Sequence, residues 1–146
     1  MKFNRILIAV DSSSFSLKAA RAGFALAHAL DAEVALLYVV DRSKESVTID
    51  TGPTREQSEV LLLKEAQETI EQLIKLFNGN KKLYKFTPEG FPNEEILNIA
   101  QEWRADVIVM GTHGRTGLSH FINGSIAEHV VRHACVPVMV IPPNTK

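Results

Sequence analysis

Val107-Ile108-Val109-Met110-Gly111-Thr112-His113-Gly114-Arg115-Thr116-Gly117, followed by Asn123-Gly124-Ser125, ties a strand, a loop and a helix together more plainly than any other part of the chain. The first four residues form a continuous apolar run, as in a strand buried on both faces. Beyond the glycines, Ile126-Ala127-Glu128-His129-Val130-Val131-Arg132-His133-Ala134 has helical spacing. A strand, a glycine-rich loop and a helix start, in that order, make a candidate anion site. Glycine lets backbone N–H groups come close to a phosphate, and the first turn of a helix carries about half a positive charge.

The same alternation extends in both directions. Upstream of Asp106, a helix begins at Asn93 with Glu94 and Glu95 in its first turn and runs through Trp103, with Ile96, Ala100 and Trp103 facing inward. Before it, Lys82 to Pro88 reads as a strand that mixes Tyr84 and Phe86 with Lys85 and closes on a proline, a composition suited to a sheet edge. Downstream, Val136 to Ile141 is a last apolar strand, stopped by Pro142-Pro143. At the other end of the chain, Phe3 to Val10 is a buried strand, and Asp11-Ser12-Ser13-Ser14 supplies caps for a helix over Phe15 to Leu30. Leu17, Ala20, Phe24, Ala27 and Leu30 have the spacing of its packed face. Glu33 to Val40 is a second buried strand. A polar stretch, residues 41–53, has the length of a lid or a mobile loop. Thr54-Arg55-Glu56-Gln57 has capping-box spacing and opens a long helix that Asn78-Gly79 ends, with Leu63, Ala66, Ile70, Leu73 and Phe77 as its buried stripe.

Strands and helices in strict alternation predict an α/β, Rossmann-like fold: a doubly wound, five-stranded parallel sheet with helices on both faces. No repeat or linker interrupts residues 1–146, so one domain is expected. With strand order 3-2-1-4-5, the order reverses between strands 1 and 4, and ligands in such sheets sit outside the carboxyl ends at that point. The loops starting at Asp11 and Gly111 meet there.

Composition narrows the function. At 146 residues, 45% hydrophobic and 23% charged, the chain is an ordinary globular protein. A net charge of −1 and the lack of a basic face argue against a nucleic-acid or anionic-membrane partner. No apolar run approaches the roughly 20 residues of a membrane span, and no signal pattern is visible, so a cytoplasmic location is expected. The single cysteine, Cys135, allows no intrachain disulfide and reads as a small buried side chain between apolar neighbours.

Two familiar phosphate motifs are absent. The chain has no G-x-x-x-x-G-K-S/T string, and its first strand–helix turn, Val10-Asp11-Ser12-Ser13-Ser14, lacks the glycines of a dinucleotide fingerprint. The actual spacing is Gly111-x2-Gly114-x9-Gly124-Ser125. That pattern resembles the nucleotide motif G-x2-G-x9-G-S/T of the universal stress protein (UspA-like) family. The likeness extends over nearly the whole chain, through Ile6-Leu7-Ile8-Ala9-Val10-Asp11, Leu36-Leu37-Tyr38-Val39-Val40-Asp41, Asp106 to Gly117 and Cys135 to Ile141.

The family has members that bind ATP and members that lack the motif. The complete motif here implies the ATP-binding branch, with ADP or AMP as related ligands and Mg²⁺ or Mn²⁺ on the phosphates. Carried over by position, the resemblance implies that Asp11 and the backbone at Ala9 and Val10 lie by the adenosine half, with the Val39 backbone at the adenine edge. It implies that Gly111, Gly114 and Arg115, with Met110 and His113 beside them, wrap ribose and phosphates. Gly124, Ser125 and Ile126 would receive phosphate at the helix start. It further implies a stress-response role as a nucleotide-dependent sensor or signalling protein. Alternatives on the same residues are a slow ATPase or nucleotide-transfer enzyme, and an interaction module whose glycine loop is structural. No general base or phosphate lysine is evident, so no catalytic residue is assigned.

Simpler readings stand beside these. Ser125-Ile126-Ala127-Glu128 is also a capping box, and Asp11 could merely cap the first helix. His129 and His133 stand four apart, a metal-ligand spacing that no cysteine or carboxylate pattern completes, and no metal site is assigned to them. His120 lies in the glycine loop. Finally, the apolar fifth strand, Val136 to Ile141, would be an open sheet edge. Its expected cover is the same strand of a second copy, giving a two-fold homodimer, an arrangement common in the family.

Overall fold

The computed structural model describes residues 2–42, 55–77, 82–112 and 125–143. The expected caps Thr54 and Asn78-Gly79, and most of the stretch 41–53, fall outside the described residues. In chain order the elements are β1 (Arg5–Val10), α1 (Phe15–Leu30), β2 (Glu33–Tyr38), β3 (Val40–Asp41), α2 (Arg55–Phe77), β4 (Leu83–Phe86), β5 (Glu89–Gly90), α3 (Pro92–Trp103), β6 (Val107–Gly111), α4 (Ser125–His133) and β7 (Val138–Ile141).

Successive side chains on a strand point to opposite faces, and this sorts the core into two layers. From β1, Ile6, Ile8 and Val10 join one apolar cluster with Phe24 and Ala27 of α1 and Ala66, Ile70 and Leu73 of α2. Leu7 joins the other, with Ile96, Ala100 and Trp103 of α3 and Ala127 and Val130 of α4. Helices therefore cover both faces of a sheet whose order is β4-β2-β1-β6-β7, every neighbouring pair parallel. Counting the five long strands in sequence, this is the expected 3-2-1-4-5.

The first and last anticipated strands each start two residues later than expected, at Arg5 and Val138, and two others, Glu33 to Val40 and Lys82 to Pro88, are interrupted and resume elsewhere. The β2–β4 ladder has its last rung at Leu37↔Phe86. Pro88 has no N–H to continue it. Pairing restarts where the Val40 amide donates to the Pro88 carbonyl at 2.7 Å, and β3 and β5 then form a small separate sheet through Val40↔Glu89 and Asp41↔Gly90. Val39 is left in the break between β2 and β3.

Several finer expectations are corrected. The buried face of α1 is Ser16, Ala19, Ala20, Gly23, Phe24 and Ala27, whereas Leu17 and Leu30 are 36% and 40% exposed. Small residues form this face because α1 lies close on β1: a Cβ placed on Gly23 would sit 2.5 Å from Ile8 Cδ1. On α2, Ala66, Ile70 and Leu73 are buried and Phe77 stacks on Phe24 at 5.8 Å, but Leu63 is exposed. The third helix starts at Pro92 with Phe91 as its N-cap, one position earlier than Asn93, since proline's fixed φ suits the first helical residue. Cys135 is exposed, not buried, because it lies in the bend between α4 and β7.

The amino ends of β1 and β6 are clamped together. Asp106 Oδ2 accepts from the Asn4 and Arg5 amides at 2.8 and 2.9 Å, and the Asp106 amide donates to the Arg5 carbonyl at 2.8 Å. Arg5 also donates to the Trp103 carbonyl at 2.7 Å with its guanidinium 5.5 Å from the Trp103 ring. This end is built for stability, and the opposite end is built differently.

Candidate functional site

Three rungs join β1 to β6: Ile6↔Val107, Leu7↔Ile108 and Ile8↔Val109. Both strands continue beyond the last rung, β1 to Val10 and β6 to Gly111, but there each is paired only with its outer neighbour. Ala9 and Val10 stay opposite Leu37 and Tyr38. Met110 and Gly111 stay opposite Val140 and Ile141, and the Thr112 amide donates to the Ile141 carbonyl at 3.1 Å. The central sheet thus comes unpaired at the carboxyl ends of β1 and β6, the place where strand order reverses and where ligands enter doubly wound folds.

Asp11 stands at the end of β1, half-buried. Its Oδ1 accepts from the Ser13 amide at 2.9 Å, the Ser13 hydroxyl at 2.5 Å and the Ser16 hydroxyl at 2.8 Å. Its own amide donates to Ser16 Oγ at 2.6 Å. The residue at the N-cap position, Ser14, makes no side-chain cap bond. Asp11 therefore does organise the start of α1, as the simpler reading had it, but with one carboxylate oxygen only. Ser16, 7% exposed, was not singled out from the sequence. A signal for it does exist: it lies one helical turn before Ala19 and Ala20, on the face that packs.

The other side of the opening is formed by β6, and α4 is the next described element after it. Met110 is buried and Gly111 half-buried. Met110, Ala9, Ile126 and Ala127 all belong to one apolar cluster, on the sheet face that α3 and α4 cover. Ser125 is the first residue of α4 and is exposed. The capping-box partner of Ser125 is otherwise engaged: Glu128 Oε1 accepts from Arg132 at 2.8 Å, the four-residue spacing of an exposed helix pair. Val39, 7% exposed, lies in the strand break with its side chain in the same apolar cluster. His113, Gly114, Arg115 and Gly124 lie outside the described residues, as does His120.

Among the described residues, no group of three or more His, Cys, Asp or Glu side chains could hold a metal ion. The His129 and His133 rings lie one turn apart on α4, centroids 4.3 Å apart and tilted by 31°, with His133 Nδ1 2.9 Å from the His129 carbonyl. His133 Nδ1 is thus directed at the backbone of its own helix. The two chain segments differ in charge: the Asp11 carboxylate after β1 is an acceptor, and the start of α4 offers N–H donors and a partial positive charge. Such an arrangement suits a ligand with hydroxyl or amine donors at one end and an anionic group at the other.

These features define a doubly wound α/β protein with an open switch point. The universal stress protein family profile matches residues 2–142. A universal stress protein of Methanocaldococcus jannaschii is 38% identical over 140 residues, spanning 95% of this chain and 82% of its own. The chain belongs to the universal stress protein family. A second protein of that organism, solved as a hypothetical protein for structure-based assignment of its biochemical function, superposes with a TM-score of 0.85 over 100% of both chains at 27% identity. A universal stress protein from Archaeoglobus fulgidus, solved in complex with dAMP, superposes with a TM-score of 0.69 over 97% of this chain and 99% of its own. At 21% identity, that second likeness is one of fold. Among the described residues, no helix is long and apolar enough to cross a membrane.

Proposed function

We propose that this universal stress protein binds ATP, or a related adenine nucleotide such as ADP or AMP, and acts in stress response as a nucleotide-dependent signalling homodimer in the cytoplasm. The observation that carries the reading is the end of the β1–β6 ladder at Ile8↔Val109, which opens the sheet between Asp11 and the glycine loop. The full Gly111-x2-Gly114-x9-Gly124-Ser125 spacing runs from one wall of that opening to the first turn of α4. The residues present fit the ligand: an acceptor carboxylate suits the hydroxyls of a ribose, and a helix start suits phosphate.

In this reading Asp11, with the backbone of Ala9 and Val10, receives the adenosine half, and the Val39 backbone, released from the main ladder, meets the adenine edge. Met110, Gly111, His113, Gly114 and Arg115 border ribose and phosphates, and Gly124, Ser125 and Ile126 take phosphate at the start of α4. Mg²⁺ or Mn²⁺ would come with the phosphates and offset their charge. The dimer would form by pairing β7 with its copy across a two-fold axis, since β7 is an edge strand of the sheet.

Thermal melting with and without Mg–ATP tests the binding. A ligand present at 100 times its Kd stabilises a protein by about 2.7 kcal/mol, which for a chain of this size raises the melting temperature by roughly 5–10 °C. Gly124→Trp, which blocks close approach of the chain to a phosphate, should abolish the rise. No rise in the natural protein, and no effect of Gly124→Trp, would refute the reading.

A further inference from the structure

We infer that Ser16 is a positioning residue for the nucleotide site: it fixes the Asp11 carboxylate so that Oδ1 is spent on the protein and Oδ2 is kept for the ligand. The inference rests on the proposed nucleotide binding and adds to it a residue outside the glycine motif.

Two features of Ser16 support the assignment. It is buried, so its hydroxyl has no bulk water to satisfy it, and both of its bonds go to one residue. It accepts from the Asp11 amide at 2.6 Å and donates to Asp11 Oδ1 at 2.8 Å, which ties the backbone and the side chain of Asp11 to the same atom. Ser13 adds its amide and hydroxyl to Oδ1. A carboxylate has about four acceptor positions on its two oxygens. All three of these donors fall on Oδ1, and none of them on Oδ2. A cap needs one such bond to satisfy a helix-start donor. Three on one oxygen, one of them from a buried hydroxyl that also holds the backbone, do more than a cap requires: they fix the torsion of the Asp11 side chain. Asp11 itself sits at the end of β1, one residue past the last β1–β2 rung, Val10↔Tyr38, beside the unpaired opening. A fixed acceptor loses no rotamer freedom when a ligand arrives, and preorganisation of that kind is expressed as affinity.

The test is calorimetric titration of the full chain with Mg–ATP, comparing natural protein, Ser16→Ala, Ser16→Thr, Asp11→Asn and the Ser16→Ala/Asp11→Asn pair, each with its melting temperature. Hydrogen bonds to a charged group are the stronger class, so Ser16→Ala is expected to weaken binding by about tenfold. Ser16→Thr, which keeps the hydroxyl, should recover most of the affinity. In the Asp11→Asn background, Ser16→Ala should cost less than threefold, because the group it positions has already been altered. A purely structural serine predicts another outcome: melting falls in Ser16→Ala while the affinity for Mg–ATP stays within twofold of natural, and that result overturns the inference. Should Ser16→Ala fail to fold, Ser13→Ala, which removes one donor to Oδ1, gives the same comparison: several-fold weaker binding supports positioning, and unchanged binding overturns it. Natural protein that binds no Mg–ATP refutes the proposed function and this inference with it. Natural protein that binds, with Ser16→Ala binding equally, refutes the inference alone.

Discussion

At the end of β5, Gly90 adopts φ 155°, and a Cβ built on it would lie 2.9 Å from Glu95 Cγ in the first turns of α3. The neighbouring glutamate can swing aside, but the backbone angle cannot be relieved so easily. Gly90→Ala is therefore expected to lower stability by about 1–2 kcal/mol, the cost of holding a side chain in a sparsely populated region. Urea unfolding measures it, and adding Glu95→Ala should recover less than half of the loss. Recovery of all of it would place the strain in the contact instead of the backbone. At this scale the sequence was uneven. Asp11 was legible as an organiser of the start of α1, because an acidic residue between an apolar strand and a run of serines has the chemistry of a cap. Ser16 was not, because a serine in the first turn of a helix reads as a solvated cap, and burial is a property of the packed helix and not of the residue type.

Among the elements, α1 shows how a correct boundary can carry a partly incorrect face. Its limits, Phe15–Leu30, follow from an alanine-rich run bounded by Asp11–Ser14 and Asp31. Of its expected face, Ala20, Phe24 and Ala27 are buried, but the face turns toward Ala19 and Gly23 and away from Leu17 and Leu30, because small residues let the helix approach β1. The close approach has a measurable consequence. Gly23→Ala would gain about 1 kcal/mol of helix propensity, but its Cβ would lie 2.5 and 2.6 Å from Ile8 Cδ1 and Cγ1 in a fully buried site. Overpacking of that kind costs about 1–3 kcal/mol, so the net effect is destabilising by roughly 1 kcal/mol. Ile8→Val should be less costly in the Gly23→Ala background than alone, since it removes one of the two clashing atoms. A higher urea midpoint for Gly23→Ala would contradict this packing. The strand pairs β2/β3 and β4/β5 show the complementary limit: hydrophobic runs announce where strands lie, but the break at Val39 and the restart beyond Pro88 depend on which amide meets which carbonyl across the sheet.

For the molecule as a whole, the alternation of strands and helices was enough to predict the sheet order, because handedness and burial leave few arrangements. Assembly is less constrained by a single chain. β7 lies at the sheet edge, with Met139 38% exposed and Val138, Val140 and Ile141 half-buried. If β7 pairs with its copy, sedimentation at micromolar concentration should give twice the chain mass, and Met139→Lys, which puts like charges near each other across the two-fold, should shift the protein toward monomer without unfolding it. A natural protein that sediments as a monomer at every concentration would rule the interface out.

Whether the opening between β1 and β6 holds an adenine nucleotide is decided by calorimetric titration of the purified chain with Mg–ATP. Saturable binding of one nucleotide per chain is expected, lost in Gly124→Trp and weakened in Asp11→Asn. No saturable heat up to millimolar Mg–ATP, ADP or AMP, from protein shown to be folded and free of copurified nucleotide, would contradict it.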